Sequence, residues 1–306
     1  MTVLFADLVG FTAQSEVLDP EDVAAVQDAY FAGVRDVVAR RGGRLAMELL
    51  GDRTAEMEPP LCEADRVATT RGLLQLQAWV QAGRSEAAFL VGDWDDAVRH
   101  GRAALAIALA HGYLRAAIRT WFVLRPIALH RGDGTMLREL GDWLATLDAL
   151  PDSPYGRLMG AALDHSVAAG TGADPVTPDA ERLGDCWALA YDDPSLIAAR
   201  DAVLAAWWED GRYDDGLAAL DAMPLDGSGP GPLAQGSIRL WRARLGGDET
   251  EIVEQARGAL EQLRRWDAGW WIEQAIGVLD DAGDATPAER EERRAIRIRL
   301  MGEPTS

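Results

Sequence analysis

Two pairs of adjacent tryptophans, Trp207-Trp208 and Trp270-Trp271, are the side chains here best suited to recognition chemistry. An indole offers a large apolar face, and Trp and Arg together anchor bound peptides at interface hot spots. Neighbours on a helix point about 100° apart, so one ring of each pair must turn toward the surface. Trp207, Trp208, Trp270 and Trp271 are therefore candidates for a partner-binding groove, and the alternative for each is packing between stacked helices. Other chemical groups are sparse. His100, His111, His130 and His165 form no HExxH or paired spacing, and Cys62 and Cys186 are far apart, with no metal-ligand pattern. All 30 basic residues are arginine, and the chain contains neither Lys nor Asn. A phosphate-binding GxxxxGK loop is thereby excluded.

The balance of 50 acidic against 30 basic residues gives a net charge of −20. Nucleic acid and anionic membranes, which need local positive excess, are excluded as main partners. No apolar run reaches the roughly 20 residues that span a bilayer. With two cysteines and no signal peptide, a reducing cytoplasm is the expected compartment.

The elements that would position the tryptophans repeat along the chain. Gly followed closely by Asp or Arg occurs at Gly51-Asp52, Gly92-Asp93, Gly132-Asp133, Gly172 with Asp174, Gly211-Arg212, Gly247-Asp248 and Gly283-Asp284. Glycine can take the left-handed conformation that ends one helix, and aspartate can cap the next. Each tooth of this comb predicts a corner between amphipathic helices, as in GDWDDAVRHGRAALAIALAHG (92–112) and DGRYDDGLAALDAM (210–223). Short loops are expected at 151–156 and 170–178, and a hinge at PLDGSGPGP (224–232). The last helix should start at Thr286-Pro287, with Glu289 completing a capping box. Residues 62–301 are thus predicted to be almost wholly helical, with about a dozen antiparallel helices. These segments resemble tetratricopeptide repeats, and the resemblance implies a right-handed solenoid. Their spacing is wider than that family's usual period of about 34 residues.

The opening differs. Residues 2–8, TVLFADL, read as a strand running into a glycine turn at Gly10. A helix follows, capped by Asp19, opened by Pro20, faced by Val23, Val26, Tyr30, Val34 and Val37, and stopped at Gly42-Gly43. TVLFADLVGFT, LDPEDV and YFAGVRDVVARRGG together resemble the start of a class III adenylate/guanylate cyclase domain, over residues 1–45. The resemblance implies that Asp7 is a ligand of two catalytic metal ions, Mg or Mn. It also implies that the main chain at Leu8, Gly10, Phe11 and Thr12 touches metal and phosphates. Paired ions would polarise a 3′-hydroxyl and neutralise a triphosphate. Asp52 is the candidate second carboxylate, but Gly51-Asp52 also falls on the comb and reads first as a helix corner. The polar stretch after it breaks at Pro59-Pro60 and cannot pair as a central strand.

The sequence therefore predicts a mainly α chain in four parts. They are a cyclase-like strand–helix segment (1–45), helical repeats (46–223), a hinge (224–232), and further repeats with a capping helix (233–306). The expected function is a protein-interaction module that holds a protein or peptide. Another cyclase-like chain could pair with the unpaired edge of strand 2–7. Cyclase-like domains joined to repeat tails occur in large bacterial signalling proteins, which gives this architecture its setting. The alternatives are a divergent cyclase with a dimeric two-metal site and a chain without selected function. No cofactor is expected unless Mg or Mn serves that site. The cyclase family commonly uses a Lys to select adenine and an Asn at the transition state, and this chain has neither. Purified chain with ATP or GTP and Mg²⁺ or Mn²⁺ is therefore expected to form no cyclic nucleotide above background. Turnover lost in Asp7→Ala would overturn that expectation.

Overall fold

The computed structural model of this chain describes residues 58–144, 156–163, 178–183, 194–223 and 232–301. The chain divides into two compact units, Met1–Leu49 and Leu50–Ser306, and every described residue belongs to the second. The expected strand and helix of the opening segment, the corners at Gly51 and Gly172, and nearly all of the three expected loops lie outside the described residues.

Regular structure among the described residues is entirely α-helical. In order, α1 is Glu58–Arg71, α2 Leu74–Val91, α3 Trp94–His111, α4 Leu114–Arg131 and α5 Gly134–Leu144. After helical residues 156–163 come α6 Ala180–Leu183, α7 Pro194–Glu209, α8 Tyr213–Asp221 and α9 Pro232–Leu245. The last three are α10 Glu249–Arg265, α11 Gly269–Asp281 and α12 Pro287–Met301. Pro59 and Pro60 sit in the first turn of α1, where their missing N–H groups interrupt no intrahelical bond.

The corners explain the helices. At Gly92 the backbone is left-handed, with φ of 84°, which glycine takes without a Cβ clash. The Asp93 N–H then donates to Ala88 O at 2.8 Å and the Gly92 N–H to Phe89 O at 3.1 Å, satisfying the carbonyls that end α2. Asp93 next accepts from the Asp96 N–H and starts α3. The same pair of main-chain bonds ends α4, where Asp133 Oδ1 accepts from the N–H groups of Thr135 and Met136. Asp248 caps α10 through the Glu251 N–H at 3.0 Å. At α12 the capping box is complete: Glu289 accepts from the Thr286 N–H, and the Thr286 hydroxyl accepts from the Glu289 N–H. Further corners fall between the teeth of the comb, at Gly72, Gly112 and Asp267. Each 40-residue step therefore holds two helices, and α2, α3 and α4 run to 18 residues apiece.

Adjacent helices pack closely because small residues sit at the crossings. A Cβ on Gly101 of α3 would lie 2.7 Å from Leu124 of α4 and 2.9 Å from the Ser85 hydroxyl of α2. Packing also reaches beyond sequence neighbours. Helix α11 touches α2, α12 touches α3, and α7 touches α4. Phe89 of α2 meets the rings of Trp270 and Trp271 at 5.5 Å each. Arg131, at the end of α4, donates to Leu300 O of α12 at 3.0 Å. The two ends of the described helical unit therefore meet, where a strictly one-dimensional stack would keep them apart. Between them Glu86, Phe89, Phe122 and Trp271 enclose a cavity of about 10 Å³, room for one water.

Gly101→Ala should lower stability by about 1–3 kcal/mol, since the new methyl overpacks the α2–α3–α4 crossing. Gly141→Ala, in open space inside α5, should instead raise it by up to about 1 kcal/mol through helix propensity. Urea denaturation of the two variants beside the parent chain measures both, and equal effects would refute the crossing argument.

Candidate functional site

Ionisable groups in the interior are met from several helices at once. Asp201 of α7, almost fully buried, accepts from the fully buried Arg200 at 2.9 Å. The Ser237 hydroxyl of α9 lies 2.8 Å from both of its carboxylate oxygens, and the Trp271 indole N–H of α11 donates to Oδ2 at 3.1 Å. Arg200 also donates to the Ser237 oxygen at 2.6 Å. Two other buried acids are treated alike. Glu86 accepts a bidentate pair from Arg119, and Glu273 accepts from Arg293 at 2.9 Å and Arg297 at 2.6 Å. Burial pushes the Arg244 guanidinium below its ordinary range, against the attraction of Asp201 and Glu273. At Glu289 burial pushes the carboxyl up, but the Thr286 bonds and Arg257 outweigh it and hold the group low. These are closed networks with saturated partners, and they position helices.

The four candidate tryptophans divide. Trp207 is fully buried, with its N–H donating to Pro178 O at 2.8 Å and Arg212 lying 5.8 Å over its ring. Trp271 is buried on Asp201. Trp270 is half-buried, 5.0 Å from the Trp271 ring and packed on Phe89. Only Trp208 stands out, 47% exposed at the end of α7. On the other side of the same Gly211 corner, Tyr213 opens α8 with 45% exposure. No other aromatic side chain among the described residues is exposed to that degree. Glu209, Asp210 and Asp214 are exposed around the two rings. Arg212 is turned away, donating to Asp215 at 2.6 Å and to Pro178 O at 3.0 Å. Burial lowers the pKa of Arg125 in α4 to about 10, with Glu209 acting the other way.

Asp7, Leu8, Gly10, Phe11, Thr12 and Asp52, the residues singled out by the cyclase resemblance, lie outside the described residues. So do Cys186 and His165. Cys62 is exposed and accepts from Arg84 at 3.3 Å. His100 bonds Gln81, His111 stacks on Tyr113, and His130 sets its edge against Trp94. Among the described residues, no three His, Cys, Asp or Glu side chains converge as metal ligands. No helix there is long and apolar enough to cross a membrane. Comparison with protein-family models, with curated proteins and with solved structures gives no match.

Tyr213 is the surface residue that reading the sequence passes over. Its setting, Gly-Arg-Tyr-Asp-Asp, has the same form as Gly-Asp-Trp-Asp-Asp at 92–96, yet Trp94 is buried. The local motif cannot distinguish them, because the packing of distant helices decides.

Asp201→Ala strands the buried Arg200 guanidinium and should destabilise the chain by about 3–5 kcal/mol. Trp208→Ala should change stability by less than about 0.5 kcal/mol. Guanidinium denaturation followed by far-UV circular dichroism reads both. A large loss in Trp208→Ala would make that ring structural.

Proposed function

We propose that this chain is a protein-interaction module whose contact point is the Gly211 corner. The observation that carries the reading is the exposure of Trp208 and Tyr213 together at one corner, in a helical unit whose other described aromatics are wholly or partly covered. Trp and Tyr are hot-spot residues, rigid and amphipathic, and isolated exposure of such rings is costly unless something uses them. On this reading the helices form a right-handed, tetratricopeptide-like stack in a cytoplasmic signalling protein, with Gly-Asp corners as the repeat signature. The helical conformation of the chain from Glu58 onward favours this over the cyclase reading, which needs further strands after residue 45.

The divergent cyclase remains the second reading, because FADLVGFT is an uncommon string. It would use Asp7 and Asp52 with two Mg or Mn ions in a dimer. Its unpaired strand would also account for a cyclase-like partner chain.

Affinity capture from an extract of the native host, followed by reconstitution with the purified partner, tests the module. The Trp208→Ala/Tyr213→Ala double variant should bind that partner at least tenfold more weakly, about 1.4 kcal/mol. Equal affinity of parent and double variant would reject the Gly211 corner as the contact point.

A further inference from the structure

We infer that the segment recognised at the Gly211 corner is cationic: an exposed stretch of another protein carrying arginine or lysine. The inference rests on the interaction-module reading and adds the chemistry of the partner.

The first observation is how this chain uses tryptophan elsewhere. Five of its rings carry a guanidinium over the face: Trp79 under Arg119, Trp94 under Arg131, Trp121 under Arg125, Trp207 under Arg212 and Trp241 under Arg244. The ring-to-carbon distances run from 5.1 to 5.8 Å, within the range where the quadrupole of an aromatic ring attracts a cation. Carboxylates accompany several of them, Glu86 beside Arg119, Asp95 beside Arg131 and Asp215 beside Arg212. Trp208 has the acids nearby but no arginine over its ring among the described residues. Its neighbour Arg212 is committed to Trp207, Asp215 and Pro178.

The second observation is charge. Residues 208–215, WEDGRYDD, hold four acids and one arginine, on a chain of net charge −20 without lysine. Glu209 faces Arg125, which offsets part of its field, while Asp210 and Asp214 flank the rings on the exposed side. Such a rim draws cations toward it and repels phosphate-bearing partners. An apolar helix laid across the corner would have to desolvate Asp210 and Asp214 without returning a charge to them, which is costly. An arginine or lysine side chain meets both needs, its alkyl stem on the rings and its head between the carboxylates.

The test uses the purified full chain and fluorescein-labelled nine-residue peptides bearing three arginines, three citrullines or three glutamates. Anisotropy in 50 mM salt should show binding of the arginine peptide at micromolar concentration. The citrulline and glutamate peptides should bind at least tenfold more weakly. Trp208→Ala should weaken the arginine peptide tenfold or more, and Trp208→Phe should restore most of the affinity. A loss below tenfold in Trp208→Ala would mean diffuse attraction to an acidic chain and would overturn the inference. So would failure of the arginine peptide to bind. If that peptide fails while a purified host partner still depends on Trp208, the partner chemistry is wrong and the module reading stands. If the partner ignores Trp208 as well, both fall.

Discussion

A carboxylate inside a stack of helices has to be met from several of them, and Asp201 organises this unit for that reason. Taking such a charge out of water costs several kcal/mol, recovered only if every lone pair finds a well-placed donor. The donors come from α7 itself, from Ser237 on α9 and from Trp271 on α11. Any one of these helices out of place leaves a bare charge behind. Apolar packing would tolerate small slides between helices, whereas this network admits one arrangement. Glu86 and Glu273 work the same way on α2 and α11. Because every cation is arginine, the planar fork can serve two acceptors at once, as Arg119 does on Glu86.

Much of the local architecture was legible, because corner chemistry is local. Gly92, Gly132, Gly211, Gly247 and Gly283 are all left-handed, as the comb requires. The comb nevertheless marks only every second corner in its best-described stretch. Gly72 and Gly112 are followed by Leu73 and Tyr113, which make no side-chain cap, so the Asp that flags a corner is absent. Asp267 turns the chain with φ of 49° without glycine, and no sequence rule for glycine finds it. The capping box at Thr286 and Glu289 was legible because both partners lie within one turn.

The candidate site was legible only in part. Adjacent tryptophans on a helix must diverge, and Trp207 and Trp208 do so fully. Trp270 and Trp271 diverge less, since Phe89 of α2 arrives from some 180 positions earlier in the sequence and covers both. No periodicity encodes that arrival. It depends on how α11 and α12 come back to the helices that began the unit. The same return buries Trp94, beside the corner that Leu300 and Arg299 approach, and leaves Tyr213 in the open.

The return of the last helices to the first also bears on how this protein can change over evolutionary time. An open array lengthens by tandem duplication, each added copy finding the same neighbour as the one before it. Here a duplicated pair of helices would carry α11 away from α2, detach Trp270 and Trp271 from Phe89, and pull Leu300 away from Arg131. Gains and losses of whole repeats are thus penalised at both ends at once. Descendants of this gene are left to vary by point substitution and by loop length, and the number of its helices is inherited as a fixed quantity.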